Sequence, residues 1–199
     1  MKRTLKISFI FLTIAIVGIW SFKKFNLNPS HSVGDIIDSL NRVNVFYNGG
    51  ISNIEERNTA DGYNLGMKYQ CVEFVKRYYY EYYNHKMPDS YGNAKDFFNS
   101  SIGDGNVNIQ RALLQFTNPS TTKPQIGDLI VMSGSIFNKY GHVAIISNID
   151  DGVVEIIQQN TGPFSNSRET FNLEKTDGKW QISNNRIMGW LRKKTTANI

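Results

Sequence analysis

The chain of 199 residues holds one cysteine, Cys71, and three histidines, His31, His85 and His142. A thiol nucleophile needs a base within hydrogen-bond reach, and that base needs a third group to orient it. Cys71 opens a segment, Cys71 to Asn84, in which Val72, Phe74, Val75, Tyr78, Tyr79 and Tyr82 form a broad apolar face. A helix amino terminus carries partial positive charge, which favours a thiolate. The plainer alternative is a small buried hydrophobe, which most free cysteines are. His31 and His85 lie in polar surroundings and are expected to be solvated, whereas His142 opens an apolar run after Tyr140-Gly141. That leaves His142 as the candidate base.

A hairpin signal supplies the third group. Asp150-Asp151-Gly152 separates two β-branched runs, His142 to Ile149 and Val153 to Gln159. With the turn centred on Asp151, His142 faces Asn160 and Ala144 faces Gln158. Strand alternation puts all four on one face and Gln159 on the other. An amide oxygen from Asn160 directly, or from Gln158 diagonally, can then accept the imidazole N–H.

The elements around these residues read as helices first and strands afterwards, an α+β order. Ile36, Ile37, Leu40 and Val43 are spaced for an amphipathic helix over residues 33–45, and 46–68 reads as loop. Short helices are predicted over 93–99 and 108–117. Strands are predicted over 128–133, 142–149, 153–159 and 186–192. Glu73, in the first helical turn, reads as a salt-bridge partner, and the tyrosines of 78–83 read mainly as core. Tyr140 and Trp190 are candidates for lining the cleft.

Twenty-two Lys and Arg against 17 Asp and Glu give a net charge of +5. Eight of those cations fall near the ends: Lys2, Arg3, Lys6, Lys23, Lys24, Arg192, Lys193 and Lys194. The body is therefore mildly acidic, which excludes a basic nucleic-acid groove. A lone cysteine excludes a disulfide framework, and the histidine spacing shows no metal site. Lys2, Arg3 and Lys6 precede an apolar run, Ile7 to Phe22, as in an export signal. The resulting division is a signal anchor or signal peptide over 1–25, a tether over 26–32, one domain over 33–192 and a polar tail over 193–199. It puts the domain in the cell envelope, membrane-anchored or secreted.

Tyr69-Gln70-Cys71-Val72-Glu73-Phe74, Gly127-Asp128-Leu129, Gly141-His142-Val143-Ala144 and Gln159-Asn160 together resemble the CHAP family. These are cysteine- and histidine-dependent amidohydrolases and peptidases, related to the NlpC/P60 group within the papain-like superfamily. The likeness runs from about Gly62 to Trp190, with a flavour of the glutathionylspermidine amidase domains. It implies a papain-like α+β fold with Cys71 as nucleophile and His142 as base. The family's usual glutamate and asparagine fall on Gln158 and Asn160, so the glutamate position departs from the pattern. Gln70 and the Cys71 backbone N–H become candidates for the oxyanion hole, and such catalysis needs no cofactor. The implied function is amide cleavage in peptidoglycan by way of a Cys71 thioester. The alternatives are cleavage of small glutathionylspermidine-like amides, acyl transfer to an amine, or a non-catalytic wall-binding module.

Overall fold

The computed structural model describes residues 2–136 and 138–194. Helix α1 (Lys2–Lys24) is followed by two hairpins, β1 (Ile36–Leu40) with β2 (Val43–Phe46) and β3 (Arg57–Ala60) with β4 (Tyr63–Met67). Helix α2 (Cys71–Tyr83) and a 3-10 turn at Ala94–Phe97 come next. The remaining strands are β5 (Val107–Asn108), β6 (Leu113–Thr117), β7 (Leu129–Met132), β8 (His142–Asp150), β9 (Val153–Ile157), β10 (Arg168–Thr176), β11 (Lys179–Ile182) and β12 (Ile187–Arg192). They form one antiparallel sheet in the order β11-β10-β9-β8-β7-β12-β6-β5. The architecture is α+β, as expected.

Alternation along the central strands divides the core. On one face Phe74, Val75, Tyr78 and Tyr79 of α2 pack against Val131, Val143, Ile145 and Ile157. On the other Ile130, Ala144, Ile146, Ile156, Phe171 and Trp190 form a second cluster. Each fully buried side chain of this size contributes roughly 1.5–3 kcal/mol. The tyrosine-rich helix is therefore mainly core: Tyr79 Oη donates to the carbonyl of Gly127 or Leu191, each at 3.1 Å. At the other end, Asn84 in the left-handed region caps α2.

Several expected helices are strands. The helix predicted over residues 33–45 is the β1–β2 hairpin. Asn41 (φ 50°) and Arg42 (φ 69°) form its two-residue turn, and both strands direct apolar residues at α2, which imitates a helical period. The loop expected over 46–68 contains β3 and β4, joined by Asp61 (φ 48°) and Gly62 (φ 73°). The helix expected over 108–117 is the β5–β6 pair. Strands β10 and β11, joined through Asp177-Gly178, were not foreseen. Both Asp-Gly turns are hairpin signals that the flanking polar residues obscured.

The amino-terminal run is helical, but among the described residues no helix is long and apolar enough to cross a membrane. Sixteen residues of helix span ~24 Å, against ~30 Å of bilayer hydrocarbon. The expected spanning anchor is thus not met. The end of α1 and the tether are both bonded to the body: Ser52 N–H donates to the Lys23 carbonyl at 2.8 Å, and Asn28 Nδ2 donates to that of Pro163 at 2.8 Å. Arg192, counted above with the end of the chain, belongs to β12 and pairs with Asp128 at 2.6 Å. Residues 195–199 of the expected tail lie outside the described residues.

Candidate active site

Gln70, in extended conformation, precedes α2 and places Cys71 at its first position. Cys71 is 9% exposed. Burial pushes its thiol up to about 11, although the backbone N–H groups of Val143, Val72 and Cys71 face the sulfur and oppose that rise. The helix terminus therefore does not yield the lowered thiol pKa expected from sequence, because desolvation of the charged form outweighs it.

His142 is the first residue of β8, set there by Gly141 (φ 79°). A Cβ on Gly141 would lie 2.5 Å from the Met132 carbonyl oxygen and 2.8 Å from Lys95 Cβ, so only glycine fits. The His142 ring meets Gln158 Oε1 through Nε2 at 2.9 Å. Gln158 Nε2 donates to Glu169 Oε2 at 3.3 Å, which fixes the amide with its oxygen toward the ring. The ring Nε2 is therefore the protonated nitrogen, and Nδ1 is its acceptor. Burial pushes the imidazole down to about 4; the Gln158 bond opposes this and the Arg186 guanidinium reinforces it.

Gln158 and not Asn160 is thus the partner of His142. Near the turn, Asp150 pairs with Val153 and Asn148 with Glu155; a bulge then shifts the register, and Ile145 pairs with Ile157. Regular pairing ends there, and Asn160 (φ 62°) leaves the strand plane. Its Nδ2 donates to Gln70 Oε1 at 2.7 Å and to the Ile51 carbonyl at 2.9 Å. Gln70 Nε2 in turn donates to the Asn53 carbonyl at 2.5 Å. Gln159, on the opposite face as expected, donates through Nε2 to the Gln70 carbonyl at 3.0 Å or to Glu73 Oε2 at 2.9 Å. Its Oε1 accepts from Phe46 N–H at 2.7 Å. Glu73 forms the expected ion pair, with Arg77 at 2.6 Å, inside the core.

Gln70, Cys71, Tyr140, His142 and Asn160 line one open cavity of about 680 Å³. Tyr140, a cleft-lining candidate, is 54% exposed there. Trp190 does not reach it. That indole is fully buried in the core cluster on the side of the sheet away from α2, with its ring centroid 6.1 Å from Phe116. The opposite rim, Ser90 to Ala94, was not foreseen. Buried Lys76 donates to the Asn64 and Ser90 carbonyls, and buried Arg111 to the Tyr91 and Asp96 carbonyls. Lys23, Arg57 and Lys139 are the charged side chains lining the cavity, and no carboxylate lines it among the described residues. A second cavity of about 530 Å³ shares His142 and Asn160 and adds Gln158, Arg168, Glu169 and Arg186.

The other histidines stand apart. His85 is partly buried, bonded through Nε2 to the Arg111 carbonyl oxygen at 2.9 Å, and so is not the solvated residue expected. His31 is exposed near Asp35. Among the described residues no group of three or more His, Cys, Asp or Glu could hold a metal ion.

The chain is 28% identical to the trypanothione synthetase of Crithidia fasciculata over 156 residues, 76% of this chain and 23% of that one. It is 31% identical over 107 residues to an endolysin of Staphylococcus phage Twort, 52% of this chain and 21% of the endolysin. It is 35% identical over 106 residues to the bifunctional glutathionylspermidine synthetase/amidase of Escherichia coli, 52% of this chain and 17% of that protein. The matched part thus spans about a fifth of each relative's length. The model of the CHAP domain matches residues 61–160, which contain Cys71, His142, Gln158 and Asn160, and the chain belongs to the CHAP domain family.

Proposed function

We propose that this CHAP domain is a cysteine amidase or peptidase that cleaves an amide bond in peptidoglycan. The carrying observation is that one open cavity holds both Cys71, at the start of α2, and His142, locked by Gln158 in the tautomer that leaves Nδ1 free to accept a proton. Cys71 Sγ attacks the amide carbonyl carbon as His142 Nδ1 takes the thiol proton. The backbone N–H of Cys71, with Gln70 Nε2 turned from Asn53, stabilises the oxyanion. The C–N bond breaks, and His142 protonates the departing amine. Water, deprotonated by His142, then adds to the thioester; the C–S bond breaks and the thiol is restored.

The substrate reading rests on charge. Arg57 and Lys139 line a cavity in which no described lining residue is a carboxylate, and this balance attracts a carboxylate-bearing peptide and repels a polyamine. The likeness to an endolysin supports the same substrate class. Lys2, Arg3 and Lys6, ahead of the apolar run Ile7 to Phe22, support export to the cell envelope. A membrane span forms no part of this reading.

A second reading is favoured by the likeness to glutathionylspermidine synthetase/amidase: hydrolysis of a small glutathionylspermidine-like amide. One experiment separates the two. The full chain and its Cys71→Ala variant are incubated with purified peptidoglycan and, separately, with glutathionylspermidine, and products are read by mass spectrometry. Muropeptide fragments that require Cys71 support the first reading, and cleavage of the small amide alone supports the second. Products from neither substrate overturn both.

A further inference from the structure

Gln158 stands where a carboxylate would stabilise an imidazolium outright, and a neutral amide does this less well. The charge is present one bond further out. Gln158 is buried and bridges two groups: its Oε1 meets His142 Nε2 at 2.9 Å, and its Nε2 donates to Glu169 Oε2 at 3.3 Å. Glu169 lies on the neighbouring strand β10, opposite Ile156 of β9, which puts it on the same side of the sheet as Gln158. His142, Gln158 and Glu169 all line the second cavity, which Cys71 does not line.

The other charges around this cavity are cations. Arg186 lies close enough to disfavour the imidazolium, and its guanidinium is held on the Ser133 carbonyl at 2.9 Å. Arg168 is engaged by Asp38 at 2.9 Å and by Glu155 at 2.7 Å. Lys23 also lines the cavity. Glu169 is therefore the sole carboxylate among the described lining residues, and it is hydrogen-bonded to the group that holds the base.

We propose that Glu169 is a positioning residue for the proposed cysteine hydrolase, acting through Gln158 to orient His142 and to supply the negative charge that the amide lacks. The proposal rests on the Cys71–His142 reading above. Its carboxylate fixes which end of the Gln158 amide faces the ring, and so fixes the tautomer. It also polarises the amide, making Oε1 a stronger acceptor as the ring gains the thiol proton. No proton leaves Nε2, and no bond is made or broken at Glu169.

The test uses the full chain and reads Cys71 itself, so it does not depend on knowing the substrate. Alkylation of Cys71 by iodoacetamide at pH 7 is compared in wild type, Glu169→Gln, Glu169→Ala, Gln158→Glu and the double variant Gln158→Glu/Glu169→Gln. Nitrogen-15 shifts report the His142 tautomer, and thermal melts confirm folding. Glu169→Gln, which keeps an acceptor but removes the charge, is expected to slow alkylation about 5-fold and preserve the tautomer. Glu169→Ala is expected to slow it further and mix the tautomers. In the Gln158→Glu background, where a carboxylate already faces the ring, Glu169→Gln is expected to cause no loss. Unchanged alkylation and tautomer in both Glu169 variants would overturn the proposal, as would an equal loss from Glu169→Gln in both backgrounds. A lack of peptidoglycan cleavage by wild type bears on the substrate reading and leaves this comparison intact.

Discussion

Gln158 and Asn160, two residues apart where β9 ends, hold opposite halves of the site: Gln158 meets His142 at 2.9 Å and Asn160 donates to Gln70 at 2.7 Å. Between them Gln159, on the opposite face, bonds to the start of α2. Three consecutive amides thus tie the candidate base, the nucleophile's helix and the candidate oxyanion donor to one strand end.

Gln158→Ala removes the group that fixes the His142 tautomer. Its kcat is expected to fall about 10–100-fold with little change in KM, since Gln158 contacts the base and not the substrate. Steady-state kinetics on whichever of the two proposed substrates is cleaved measures the split.

Asn160→Ala releases the Gln70 side chain without touching His142. A fall in kcat of about 10-fold is expected, part of what a lost oxyanion donor costs. The nitrogen-15 tautomer signature of His142 is expected to stay as in wild type. A changed tautomer would return Asn160 to the role of ring partner.

The resting pair is a neutral thiol and a neutral imidazole, with Cys71 pushed up to about 11 and His142 down to about 4. The base is therefore competent above about pH 5, and the thiol stays protonated to about pH 9. A flat kcat/KM plateau between those limits is expected, with alkylation of free Cys71 rising steeply above it. A pH series of both rates checks this. A thiolate already formed at pH 6 would contradict it.

His142 also makes stability depend on pH. Its folded pKa lies below the ordinary 6.5, so between 6.5 and about 4 the unfolded chain binds more protons. This group therefore costs no stability above pH 6.5, and its cost grows as pH falls, reaching at most about 3 kcal/mol by pH 4. Chemical denaturation at pH 7 and pH 4.5 is expected to show this loss in wild type and a smaller one in His142→Ala.

Glu73 and Arg77 form their ion pair within the core, and Glu73 also accepts from Asn58 and Gln159. Glu73→Ala leaves the guanidinium buried without its partner. A loss of about 3–5 kcal/mol is expected in denaturant unfolding. Arg77→Ala in the same background is expected to recover part of it.

The sequence by itself located the candidate nucleophile, the candidate base and their elements: Cys71 at a helix start follows from apolar periodicity, and His142 at a strand start follows from β-branched alternation. The Asp151-Gly152 turn also brought Gln158 and Asn160 near His142. Such signals are local, carried by side-chain period and turn chemistry within a few residues. Local period misled where two strands face one helix, as in β1 and β2, because their combined apolar residues repeat like a helix face. Tertiary structure decided between the two amides that the hairpin offered, since regular pairing ends after Ile157 and Asn160 (φ 62°) turns away from the strand. It buried Trp190 in the core cluster away from α2 and left Tyr140 exposed at the cavity, and it set the thiol's protonation, because burial depends on what packs over Cys71. Glu169, on a strand the sequence did not reveal, came to Gln158 only through β10 pairing with β9: contacts between residues distant in the chain exist only once the sheet is assembled.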